Sequence, residues 1–205
     1  MGRILLNRSE EVKRRILVGL ASFDCLTLNQ CVSLVYWKHT PSGFSSTQRK
    51  LKSMLSLRLI GRKKSKDNIF RYFLQTSGVR EAEQYINFLP AAGNDRSYLN
   101  SSRNDKVIDR IIADLNLINN ESSEGIALGR GALRHIKDGR YSAVDGLLGI
   151  TINGTTKTVK VYVKIDCPNL AGQKKYQESV KIANSLKSKI FVVANPFTLK
   201  NLGIK

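Results

Sequence analysis

The sequence predicts an α+β chain in two parts, the second ending in an α/β crossover. Three observations predict it. Helical periodicity fills most of the first 60 residues and then yields to two short strand-like runs. A Pro-, Gly-, Asn- and Ser-rich stretch, PAAGNDRSYLNSSRN, interrupts the middle. Beyond it the pattern runs helix, three strands, helix, strand. The expected division is a first domain over 1–88, a linker over 89–103 and a second domain over 104–205.

In the first part, Ser9 is placed to cap a helix whose first turn holds Glu10 and Glu11, which suit the positive helix end. Val12, Ile16, Leu17 and Leu20 recur at helical spacing. A second helix follows Thr27 with Leu28, Cys31, Val32, Leu34 and Val35 inward. Cys25 and Cys31 read as small apolar residues in a helical pattern. After the loop KHTPSG, a third helix is expected from Ser45 or Ser46. Its core face is Leu51, Met54, Leu55 and Leu59, and its other face is Thr47, Gln48, Arg49, Lys50, Lys52 and Ser53. Strands are expected over roughly 59–64 and 69–75 around a Ser-Lys-Asp-Asn turn, then a helix from about Ser77 to Phe88.

Charge narrows the partner. Lys and Arg number 34 against 16 Asp and Glu, a formal net charge of +18. Such an excess favours a polyphosphate partner, the blander readings being a solvated basic surface or a membrane-surface binder. No apolar run reaches the roughly 18 to 20 residues that span a bilayer. The three cysteines, Cys25, Cys31 and Cys167, form no paired Cys-x-x-Cys, which argues against structural zinc and for a reducing, cytoplasmic setting. The chain holds no P-loop, no Rossmann fingerprint and no Ser/His/Asp arrangement.

Three helices followed by a basic hairpin resemble a winged helix-turn-helix. LTLNQCVSLV is similar to its second helix, and LRLIGRKK…RYFLQTSGVREAEQY to the end of its third helix, its wing and the helix beyond. Residues 45–72 hold nine cations and a single acid, Asp67. The reading is a recognition helix in a major groove of double-stranded DNA and a wing along the phosphates. Ser46, Thr47 and Gln48 sit at the helix start, where short polar side chains reach base edges. Arg49, Lys50, Lys52, Arg62, Lys63, Lys64, Lys66 and Arg71 supply the charge for phosphates. A protein-interaction module is the alternative.

In the second part, Val107, Ile108, Ile111, Ile112, Leu115 and Ile118 form one apolar helical stripe. EGIALGRGALRHI reads as irregular, as a short helix or as an edge strand. A strand over 142–150 leads to Asn153-Gly154, a two-residue hairpin turn. Over 157–166, Val159, Val161, Val163 and Ile165 alternate with Lys160, Tyr162, Lys164 and Asp166, so the second set shares one, polar face. GQKKYQESVKIANSLKS is an amphipathic helix with Tyr176, Val180, Ile182, Ala183 and Leu186 inward. KIFVVAN then returns as a parallel strand. Asp disfavours strands, so Asp145 has either a specific role or a solvated edge. Lys164 and Asp166 read either as site residues or as partners of cross-strand neighbours, and Arg130 and Arg134 as holders of DNA backbone.

The order αβββαβ resembles the restriction-endonuclease-like, PD-(D/E)xK fold. The whole chain, a winged helix and then Glu…Gly-Arg-Gly-x-Leu-Arg…Val-Asp-Gly-Leu-Leu, is similar to the replication-relaxation family of plasmids and mobile elements and to MobC-type relaxases. The resemblance implies that Glu124, Asp145 and Asp166 hold Mg²⁺ or Mn²⁺, with Lys164 as the charge-stabilising lysine of a metal-dependent DNA nickase or endonuclease. The third strand departs from the pattern. It reads VKID, with Lys164 in place of a carboxylate, and Tyr162 takes the Glu position if Lys164 is the family lysine. The expected protein is cytoplasmic and nucleoid- or plasmid-associated. It recognises an origin and nicks or remodels it, alone, as a dimer or with other relaxosome proteins. The alternatives are a non-catalytic DNA-binding accessory protein and a winged-helix transcription regulator.

Overall fold

The computed structural model describes residues 8–36, 39–65, 67–86, 105–120, 124–134, 136 and 139–204, and the expected linker over 89–103 lies outside them. The fold is mixed α and β. The chain divides into two compact units between residues 103 and 104.

Helix α1 (Arg8–Phe23) buries Val12, Ile16, Leu17 and Leu20, as its periodicity requires. It starts one residue before Ser9, which therefore lies inside the helix. Glu11 pairs with Arg14 at 2.7 Å and with Arg15 at 2.8 Å. Hydrogen bonds from Arg14 outweigh partial burial and, with Arg15, hold the Glu11 carboxyl down at about 2.

Strand β1 (Cys25–Thr27) occupies residues that the sequence assigned to a helical pattern or a cap. Asp24, at φ 70°, breaks the helix ahead of it, and Cys25 lies in the strand. Thr27 then caps α2 (Leu28–Val35) with a full capping box. Its hydroxyl accepts the Gln30 N–H at 3.2 Å, and the Gln30 side chain accepts the Thr27 N–H at 2.9 Å.

Helix α3 (Pro41–Ser56) begins well before Ser45. Thr40 accepts the Gly43 N–H at 3.1 Å and Pro41 sits in the first turn, where a missing N–H costs nothing. Strands β2 (Ile60–Lys64) and β3 (Phe70–Leu74) form the hairpin, and β3 also pairs with β1, giving the sheet order β1-β3-β2. Helix α4 (Thr76–Ala82) follows and gives way to a turn over 83–85, so it is shorter than the expected helix from Ser77 to Phe88, whose last two residues lie outside the described ones.

In the second unit, α5 (Asp105–Asn120) covers one face of a four-stranded sheet and α7 (Leu170–Ser185) the other. Strand β4 (Glu124–Gly129) leads into one helical turn, α6 (Arg130–Leu133). Strands β5 (Gly146–Ile152) and β6 (Thr155–Lys164) meet at Asn153-Gly154, both at positive φ, as that tight turn demands. Helix α7 carries the chain across to β7 (Lys189–Val193), parallel to β6. The order is β4-β5-β6-β7, and α8 (Pro196–Asn201) ends the described fold.

The core lies on both sides of this sheet. Leu133, Val144, Leu147, Val161 and Ala183 pack beneath α7. On the other side α5 approaches so closely that a Cβ at Gly146 would stand 2.3 Å from the Ile111 side chain. This overturns the polar face expected for β6. Tyr162 is fully buried, its hydroxyl donating to Asp114 at 2.6 Å, and Lys160 donates to the same carboxylate at 2.7 Å. Alternation says which residues share a face, and α5 decides that the face is covered.

Burial pushes the Asp114 carboxyl up, but hydrogen bonds from Lys160 and Tyr162, with the Lys160 and Arg110 charges, outweigh it and hold the group below its ordinary value. The stability this pairing contributes is present above the unfolded value of about 3.9 and lost as pH falls through the lower folded value. Urea unfolding at stepped acid pH is therefore expected to show the second unit weakening below about pH 4. Asp114→Asn should be less stable at neutral pH and flatter across that window; an unchanged acid slope would remove Asp114 as its source.

Candidate functional site

Two places answer the sequence expectations, one in each unit. In the first unit, Gln48, Arg49 and Lys52 are exposed on α3, and Arg62, Lys63 and Lys64 on β2. Ser46 and Lys50 are half-buried, and Lys50 donates to Ser9 at 2.6 Å. A cleft of about 500 Å³ lined by Arg8, Ser9, Tyr36, Ser46, Arg49 and Lys50 opens at the start of α3.

Two expected DNA contacts are not available. Thr47 is fully buried, with its hydroxyl donating to Gly43 O at 2.9 Å. Its spacing with Leu51 and Met54 is the core spacing of the helix, a signal carried by the sequence itself. Arg71 is also fully buried and grips Asp67 with two bonds, 3.0 and 2.9 Å long, while donating to Ser65. It neutralises the hairpin's acid instead of facing solvent. Hydrogen bonds from Arg71, then Ser65, hold the Asp67 carboxyl far below the usual range. Lys66 lies outside the described residues.

In the second unit, Asp145 sits just before β5 with its side chain 1% exposed. Its N–H donates to Tyr162 O at 2.8 Å, fixing it beside β6. Its Oδ2 accepts from the Lys164 N–H at 2.7 Å and from Lys175 Nζ at 2.8 Å. Lys175 also donates to Lys164 O at 2.8 Å. The Asp145 Oδ1 stands 3.6 Å from Arg130 Nε. Lys164 turns its ammonium to Asp166 at 2.7 Å, and Asp166 is 68% exposed.

Asp145, Lys164 and Asp166 thus gather at one end of the sheet, with Arg130. Glu124 does not join them. It pairs with Thr151, six residues along β5 from Asp145 and so roughly 20 Å away, and it is exposed. Lys164 and Asp166 pair with each other through their side chains. Arg134 is exposed at the end of α6.

Sequence reasoning missed Lys175. It shares the inward face of α7 with Gly172, Ser179 and Ala183, and that three- and four-residue spacing is the signal that marks it. It also missed Asp114, which with Lys160, Tyr162 and Arg110 forms a second charged cluster.

The residues do not fit the divalent metal that the fold resemblance implies. Hard cations take six or more oxygens, with carboxylates turned toward the ion. Here one oxygen of Asp145 is held by an ammonium and a backbone N–H, the other faces a guanidinium, and Glu124 is remote. Among the described residues no group of three His, Cys, Asp or Glu side chains is placed to hold a metal ion. What the arrangement provides is a buried carboxylate between two cations, Lys175 and Arg130, beside the Lys164–Asp166 pair.

Comparison with protein-family models, with curated proteins and with solved structures gave no match.

Removing the Asp145 carboxylate leaves Lys175 facing the interior without its anion. Breaking a buried pair costs about 3–5 kcal/mol; Lys175 is 29% exposed, so solvent reduces the expected loss to about 2–3 kcal/mol. Asp145→Ala is therefore expected to lower the melting temperature of the second unit by about 10 °C or more. Calorimetry that finds the two melts superimposed would make the pair energetically idle.

Proposed function

We propose that the chain is a double-stranded DNA-binding protein of a plasmid or mobile element that recognises an origin and remodels it without cutting it. The observation that carries this reading is the run of exposed cations on α3 and β2, Arg49, Lys52, Arg62, Lys63 and Lys64, beside one acid that Arg71 already neutralises. A phosphate backbone meets five positive charges there and no free carboxylate between residues 45 and 72.

The element order supports a winged helix-turn-helix. Helix α3 is the recognition helix, with Gln48 at its exposed face in reach of base edges, and the β2–β3 hairpin is the wing. The second unit, with a four-stranded mixed sheet between α5 and α7, supports a PD-(D/E)xK-like scaffold. Its role is DNA backbone binding or assembly with partner proteins, not hydrolysis, because the carboxylate that would bind metal is engaged by Lys175 and Arg130.

The test is titration of labelled duplex DNA at several salt concentrations. Each phosphate contact contributes a slope of about −0.9 in log affinity against log salt. Lys52→Ala and Lys63→Ala should each weaken binding evenly across sequences and flatten the slope by about one unit. Gln48→Ala should instead erode sequence preference. In parallel, supercoiled plasmid with Mg²⁺ or Mn²⁺ should stay supercoiled. Nicking that disappears in Asp145→Ala would restore the catalytic reading, and a duplex that does not bind at low salt would end the DNA-binding one.

A further inference from the structure

The turn end of the β2–β3 hairpin presents two large apolar side chains to solvent. Ile69 is 45% exposed and Phe70 is 44% exposed. Both are good strand residues that leave apolar area in water. They adjoin in sequence at the turn end of the hairpin and, as neighbours in the ladder, give each of its two faces one apolar side chain there.

Their surroundings say what covers them. Phe70 lies opposite Lys64 in the antiparallel ladder, and Lys63 lies opposite Arg71. The Arg62 guanidinium stands 5.0 Å from the centre of the Phe70 ring. The tip is thus an apolar pair rimmed by cations, with its single acid, Asp67, tied to Arg71. An apolar protein partner has no use for that rim. A polyanion with apolar faces inside does, and base-paired DNA has that make-up: phosphates outside, base faces between.

Hydrogen bonds among the described residues tie the two sides of the turn together. The Ser65 N–H donates to Ile69 O at 2.9 Å, the Ile69 N–H donates to Asp67 at 3.3 Å, and Arg71 clamps Asp67 from below.

We propose that the hairpin tip enters the minor groove and that Ile69 and Phe70 wedge against a base step, bending the duplex, while Arg62, Lys63 and Lys64 hold the flanking phosphates. The proposal rests on the DNA-binding reading and adds an activity to it, deformation of the DNA. Helix α3 reads the major groove, and the wing beside it reaches the neighbouring minor groove. Unstacking is least costly at flexible pyrimidine–purine steps, so the site falls there.

The experiment uses the full chain and a duplex of about 30 bp carrying donor and acceptor dyes at its ends and a central TA step, at low salt. A second duplex has a stiff central A-tract. Anisotropy reports binding, and energy transfer reports bending. The wild type is expected to bind both and to raise transfer on the TA duplex more than on the A-tract. The double variant Ile69→Ser with Phe70→Ser should lose the transfer change, bind within tenfold of wild type and keep its salt slope. Phe70→Leu, still apolar, should keep most of the bend. Both side chains are exposed, so melting curves of the variants should match the wild type. Equal transfer in wild type and double variant, both bound, overturns the wedge and leaves the DNA-binding reading intact. Wild type that fails to bind either duplex overturns that reading and the wedge with it. If sedimentation shows a wild-type dimer that the double variant splits, with bending unchanged, the patch is a self-association surface and the proposal is overturned.

Discussion

The second unit turns on one buried carboxylate. Asp145 joins β5 to β6 through its backbone and side chain, and to α7 through Lys175. A carboxylate out of water has a large desolvation penalty and is tolerated only when its oxygens are matched. The match here comes from three segments far apart in sequence, so it closes only when β5, β6 and α7 have all arrived. Lys175 also caps the carbonyl of Lys164, and the next residue, Ile165, donates to Val193 O at 2.9 Å on β7. The end of β6 is thereby fixed on both sides, and that end positions every charged group of the candidate site.

The same rule recurs. Asp114 is almost fully buried and accepts from Lys160 and Tyr162 with Arg110 3.2 Å away. Asp67 is held by the buried Arg71. With 16 acids against 34 cations, each internal pair takes one cation with its acid, and the surplus of 18 cations is left over. Core and surface electrostatics are linked: several of the scarce carboxylates organise the interior, and the surplus cations lie outside those pairs.

Much of this is legible in the sequence. The αβββαβ order, the Asn153-Gly154 turn and the crossover to β7 follow from period, turn chemistry and length. The start of α3 is not, because Pro41-Ser42-Gly43 reads as a loop; Thr40 and the first-turn proline make it a helix instead. Strand β1 escapes because three residues show no period, and its extended form comes from pairing with β3. The site is legible in part. Asp145 stands out as an aspartate in a strand-like run. Its partners cannot be read, since Lys175 is 30 residues away and Arg130 is on another element. Thr47 and Arg71 are misplaced when composition is weighed ahead of position: Thr47 is in register with Leu51 and Met54, and a fully buried arginine is rare enough that charge points outward.

The lysine at the Asp145 centre decides more than stability. An ammonium is a single charge satisfied by the two oxygens it meets here, the Asp145 carboxylate and the Lys164 carbonyl. A divalent ion at the same spot would have to displace it, draw Asp166 inward from solvent and sit among Arg130, Lys164 and the displaced Lys175. Three cations around two carboxylates leave that end of the sheet positive, and such a field repels a metal ion and attracts an anion. An anion would meet this end of the sheet through charge. The place that a metal would take is held by an internal cation that ties the strands to the helix beside them.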